Sequence, residues 1–102
     1  MNELPITESN GRVVVSLPRD LERDDWMALR EKIQRQLIDR GLVHVTIDCS
    51  SYSMLPSVAY GAFAGLARDL RRVGGAFWLC RVSENIHSVL TRTRLDAVMR
   101  VE

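Results

Sequence analysis

Ser57 stands behind Pro56 and ahead of a run of small and apolar residues, Val58 to Ala67, that contains Gly61 and Gly65. A helix is expected to begin there, and a hydroxyl at its start has two chemistries open to it. As the N-cap, it accepts a hydrogen bond from the free N–H groups of the first turn. Those same N–H groups and the helix dipole favour negative charge, so the position also suits a phosphoserine. The residues alone leave both roles open. Other chemistry finds less support. A Ser57–His87 pair lacks the third group that would orient the histidine. The chain has no GxSxG, no P-loop and no GxGxxG. Cys49 and Cys80 form no CxxC and have no histidine at zinc spacing, so they read as free reduced thiols. His44 and His87 lie far apart in the chain and suggest no metal site. No enzymatic constellation, cofactor or metal is expected.

Composition is that of one ordinary globular domain. The chain has 102 residues, enough for one core, and a single domain over residues 1–102 is expected. Apolar residues make up 46% and charged residues 26%, as in ordinary globular domains. A net charge of +1 calls for neither nucleic acid nor an anionic membrane as partner. No apolar run approaches the roughly 18 residues of a membrane span. Met1-Asn2-Glu3-Leu4 has neither a basic start nor an apolar stretch, so no signal peptide is expected and the location is read as cytoplasmic.

The positioning elements follow from periodicity. Leu4–Thr7 and Arg12–Leu17 read as two strands joined by the hairpin signal Asn10-Gly11. From Asp20 to Arg40, Trp26, Leu29, Ile33 and Leu37 make one apolar helical stripe, and Gly41 stops it. Asp24 and Asp25 near its start and Arg35 and Arg40 near its end suit the dipole. Leu42–Cys49 is a strand whose His44, Thr46 and Asp48 face a wetter side. Ser57–Val73 is a second helix burying Ala59, Phe63, Leu66, Leu70 and Val73, ended by Gly74-Gly75. Ala76-Phe77-Trp78-Leu79-Cys80 reads as a strand covered on both faces, with Trp78 buried. A short helix over Ser83–Thr93 and a last short strand over Asp96–Val101 complete the chain. The order is β-β-α-β-α-β-α-β. Right-handed crossovers then give an α/β fold with a small mixed sheet and helices mainly on one face.

In this register the chain resembles the STAS domain family, in particular its single-domain anti-sigma factor antagonists. Arg19-Asp20-Leu21-Glu22 stands where the family usually has Gly-Glu-Leu-Asp. "VTIDCSSYSMLPSVAYGAFAGLARDLRRVGGAFWL" follows the family's central stretch without a gap, and "VSENIHSVLTRTRLDAVMRV" is similar to its closing helix and strand. The family's switch site usually reads Asp-Ser-Ser-Gly; here it reads Pro56-Ser57-Val58-Ala59. Ser57 falls on the serine that is phosphorylated in family members.

The resemblance implies partner switching. Unphosphorylated, the domain would bind an anti-sigma factor or a related serine kinase. Phosphorylation of Ser57 would release that partner, and a serine phosphatase would reset the site. The implied contact surface is Met54, Leu55 and Pro56, then Ser57, Val58, Tyr60 and Gly61, with Leu21, Glu22 and Arg23 beside them. Nucleic acid and direct membrane insertion are not expected. The alternative is a constitutive scaffold subunit, for example of a lipid-transport ATPase, in which Ser57 is only a helix cap.

Overall fold

The computed structural model describes residues 4–102; the N-terminal stretch read as lacking a signal peptide lies mostly outside the described residues. Strands β1 (Ile6–Ser9) and β2 (Arg12–Ser16) form the expected antiparallel hairpin. Asn10 and Gly11 both take positive φ, 53° and 79°, the pair of angles that a two-residue type I′ turn needs. The first strand starts two residues later than the sequence suggested, and Leu4 ahead of it is buried in the core.

Helix α1 (Arg23–Gln36) is shorter than the Asp20–Arg40 reading. Asp20 has a left-handed backbone, and Glu22 caps the helix in a capping box with Asp25. Beyond Gln36 the chain tightens into a 3-10 turn, Ile38–Arg40. The apolar stripe is as expected: Trp26, Leu29, Ile33 and Leu37 are all buried.

Strands β3 (His44–Asp48) and β4 (Ala76–Cys80) follow, separated by helix α2 (Ser57–Arg72). Helix α3 (Glu84–Arg92) leads through a 3-10 turn at Leu95–Ala97 to β5, which is only Arg100–Val101 rather than the longer strand expected. The five strands lie in the order β1-β2-β3-β4-β5, all parallel except the first pair. Val13, Val15, Val45, Ile47, Phe77 and Leu79 point to one face and pack with the helices. Val73, expected inside, is 51% exposed because α2 has already ended at Arg72.

Among the described residues the opposite face carries no helix, which corrects the reading of β4. Its burial alternates: Phe77 and Leu79 are buried, whereas Ala76, Trp78 and Cys80 are half-buried. Trp78 is therefore not a core residue. Arginine covers it instead. The Arg12 guanidinium lies 4.0 Å from its ring centroid and that of Arg100 lies at 5.6 Å. Arg12 also donates to Thr46 Oγ1 at 2.8 Å and pairs with Glu102, so one side chain straps β2, β3 and the C-terminal residue together. Under this strap Thr46 is only 2% exposed.

Both cysteines are free. Cys49 faces the helices; burial foremost, then Cys80 and Asp48 nearby, pushes its thiol up to about 12. Cys80, on the open face, is raised mainly by partial burial.

Helices α1 and α2 are clamped by a bidentate pair. Arg30 Nε and Nη2 donate to Asp69 at 2.6 and 2.8 Å. That bond holds the Asp69 carboxyl below its ordinary range. A lowered folded value means that the contribution is complete above the unfolded value and is lost as pH falls through the folded one. Asp69→Asn should therefore cost about 0.5–1 kcal/mol at neutral pH, since Arg30 is half-exposed and screened. Thermal melts of parent and variant should converge as pH drops below about 4. A constant gap down to strong acid would contradict this role.

Candidate functional site

The loop from β3 to α2 is held at three points before it reaches Ser57. Asp48 Oδ1 accepts from Ser50 N–H at 2.9 Å and turns the chain off the strand. Tyr52 then crosses to the loop before α1. Its hydroxyl donates to Pro18 O at 2.7 Å and accepts from Leu21 N–H at 2.9 Å. Its ring sits edge-on to Trp26, with centroids 5.4 Å apart. On the other side, Ser83 Oγ donates to Ser53 O at 2.6 Å and accepts from Ile86 N–H at 3.1 Å, capping α3. The segment left between Ser53 and the start of α2 is short, and its tip is Met54, 69% exposed.

Helix α2 starts differently from the sequence expectation. The N-cap is Pro56, at φ −69° and ψ 158°, and Ser57 is the first helical residue. The Pro56 carbonyl accepts from Ala59 N–H at 3.0 Å. A proline fixes φ near this value and has no side-chain acceptor, so it supplies only its carbonyl to the first turn. Once inside the helix, the Ser57 side chain does not cap; among the described residues its hydroxyl has no hydrogen-bond partner, and it is exposed.

The starts of the two helices face each other across a groove of about 610 Å³. Leu21, Arg23 and Trp26 line one wall, and Pro56, Ser57 and Val58 the other. The structure thus brings together Leu21, Arg23, Pro56, Ser57 and Val58 from the expected contact set. Glu22 caps α1 on its outer side. Leu55 and Tyr60 are half-buried and pack against the core, and Met54 projects from the rim. Burial, and then the Cys49 thiol beneath it, raises the Tyr60 hydroxyl above its ordinary value. Trp26 and Tyr52 were not anticipated at this site. Tyr52 reaches partners 31 and 34 residues away in sequence, beyond any local pattern.

Gly61 lies one turn beyond Ser57, exposed, with nothing within 4 Å of where a Cβ would stand. Gly61→Ala should stabilise the free domain by about 0.5–1 kcal/mol, the ordinary helical gain. Urea melts of the two proteins check this; a less stable variant would mean that this turn is strained.

The STAS domain family model matches residues 4–102. No curated protein matches the chain by sequence. Among solved structures, the chain is similar to protein TM1081 of Thermotoga maritima, with a TM-score of 0.90 at 17% identity, covering 100% of this chain and 82% of that one. It is also similar to a serine-to-glutamate variant of RsbS from Moorella thermoacetica (TM-score 0.78, 18% identity, 97% and 87% covered). A third is the Bacillus cell fate determinant SpoIIAA in its phosphorylated form (TM-score 0.75, 20% identity, 97% and 90% covered). SpoIIAA, an anti-sigma factor antagonist, is also solved unphosphorylated. At these identities the likeness is one of fold. The family match, by contrast, takes in every described residue, from the buried Leu4 through the groove at Ser57 to the closing strand: the chain belongs to the STAS domain family.

Proposed function

We propose that this protein is an anti-sigma factor antagonist-like regulator that switches partners at Ser57. The observation that carries the reading is the state of that hydroxyl: exposed on the lip of an apolar groove, in the first turn of α2, and bonded to nothing among the described residues. A residue kept only as a cap would be expected to cap. Family membership supports the same reading, as do fold neighbours that include a phosphorylated antagonist and a serine-to-glutamate variant. The unphosphorylated groove takes an anti-sigma factor or a related serine kinase, with Leu21 and Val58 against its apolar surface and Met54 at the rim. Phosphorylation places about −1.5 to −2 charges at this contact. Within a desolvated interface that charge costs several kcal/mol when unpaired, and the partner leaves. A serine phosphatase restores binding. These events belong to the cytoplasm.

The test uses two substitutions. Neither removes a cap, so Ser57→Ala should leave stability within about 0.5 kcal/mol of the parent. Ser57→Asp gains from the dipole at the start of α2 and should be as stable or slightly more so. Against a partner captured with the parent from its native cells, Ser57→Ala should bind as the parent does. Ser57→Asp should bind about tenfold more weakly or worse, a loss of about 1.4 kcal/mol. Intact-mass spectra of the parent, but not of Ser57→Ala, should show one phosphate that a phosphatase removes. Undiminished binding by Ser57→Asp, with no phosphate in the parent, would instead identify a constitutive scaffold.

A further inference from the structure

The far half of α2 faces a second groove, on the side away from α1. It runs between the helix and the segment that leads into β5. Ala64, Ala67, Arg68, Arg71, Leu95 and Val98 line a hollow of about 220 Å³. A second hollow of about 110 Å³ shares Ala67, Arg71 and Val98 and continues to Arg100. Together they form one trough. The floor of the larger hollow is apolar, and Val98 is 41% exposed there. Its rim beside α2 is cationic: Arg68 and Arg71 are exposed, whereas the Arg100 guanidinium lies over Trp78 on the other face of the sheet, and among the described residues no carboxylate lines either hollow. Neither Arg68 nor Arg71 is in an ion pair among the described residues. The nearby Asp69 is hydrogen-bonded to Arg30 on the α1 side and attracts Arg72 and Arg68 only through longer-range charge, and Asp96 is an exposed residue of the 3-10 turn.

Two guanidinium groups without an ion-pair partner among the described residues, beside an apolar floor, define what fits. The occupant must bring carboxylates to the rim and aliphatic side chains to the floor. We infer that this trough docks an acidic amphipathic segment of a partner protein, with Asp or Glu side chains on Arg68 and Arg71 and a Leu or Ile side chain against Ala64, Ala67 and Val98. Arginine suits this role because its fork donates two parallel N–H bonds to a carboxylate and its stem adds to the apolar wall. Ser57 takes no part in this contact. Since Gly61, Ala64, Arg68 and Arg71 continue down the same side of α2 from Ser57 at helical spacing, a single partner is able to reach both sites.

The experiment uses the isotope-labelled whole protein and three synthetic helical peptides. One is amphipathic with Glu and Leu, one has Lys in place of Glu, and one carries Glu without Leu. Vesicles of anionic phosphatidylglycerol are a fourth probe. The Glu–Leu peptide should shift the amide signals of Ala64, Ala67, Leu95 and Val98. Arg68→Glu with Arg71→Glu should weaken it about tenfold or more, as should raising the salt. Arg68→Lys with Arg71→Lys should keep part of the binding. Ser57→Asp should leave it unchanged, so loss of the switch and loss of the trough are told apart. Absence of these shifts, equal binding of the Lys peptide, equal binding of the Glu-only peptide, or a preference for the vesicles would each overturn the assignment.

Discussion

Trp26→Ala will lower stability by about 3–5 kcal/mol, as truncation of a buried aromatic side chain does. A domain of this size has about 5–15 kcal/mol in all, so the variant will be close to unfolded at moderate temperature. Trp26 is 1% exposed and is the largest fully buried side chain. It meets Tyr52 and Phe63 edge-on, at centroid distances of 5.4 and 6.1 Å. Loss of the indole therefore also frees Tyr52, whose hydroxyl ties Leu21 and Pro18 to the loop ahead of Ser57. Trp26→Phe keeps an aromatic edge and should lose less. Urea unfolding measures both, with Trp78, the other tryptophan, as the fluorescent reporter. A midpoint for Trp26→Ala within about 0.5 kcal/mol of the parent would exclude this packing.

Gly74 and Gly75 adjoin, yet substitution will affect them for different reasons and by different amounts. Gly74 has φ 76°, and nothing lies within 4 Å of its missing Cβ. Alanine there costs only the left-handed strain, about 1–2 kcal/mol. A Cβ on Gly75 would stand 2.1 Å from the Val43 carbonyl oxygen. That carbonyl accepts from Ala76 N–H at 2.9 Å, the bond just ahead of the paired stretch of β3 and β4. Backbone cannot rotate away as a side chain can. Gly75→Ala must therefore push the two central strands apart at their start or break that bond, at about 2–4 kcal/mol. Chemical denaturation should rank Gly75→Ala well below Gly74→Ala. The reverse order would show that left-handed strain outweighs the close approach.

Much of this arrangement was legible because it is local. The four-residue stripe of α1, the Asn10-Gly11 turn and the Gly74-Gly75 stop each carry their geometry in neighbouring residues. The strand order follows from short crossovers and right-handedness. Two misreadings share one cause. An apolar run such as Ala76–Cys80 does not say what lies over each face, and here the cover on one face is the stem and guanidinium of Arg12, two strands away. A serine at a helix start likewise does not reveal whether it is the cap or the next residue. Ser83 is a cap, whereas Ser57 follows a proline that takes that place. The groove at Ser57 was half visible. Leu21, Arg23, Pro56 and Val58 came from the family register, but the clasp that shapes it, Tyr52, connects segments that only folding brings together.

The strands lie across the sheet in the same order as along the chain. No strand has to be inserted between two that are already paired. Every pairing after the hairpin joins a strand to its immediate predecessor, once the intervening helix has folded back over the sheet. Such a chain can assemble as the ribosome delivers it, with each βα unit adding to an edge already present. The first and last strands, with four and two residues, offer little length for pairing with another molecule meanwhile.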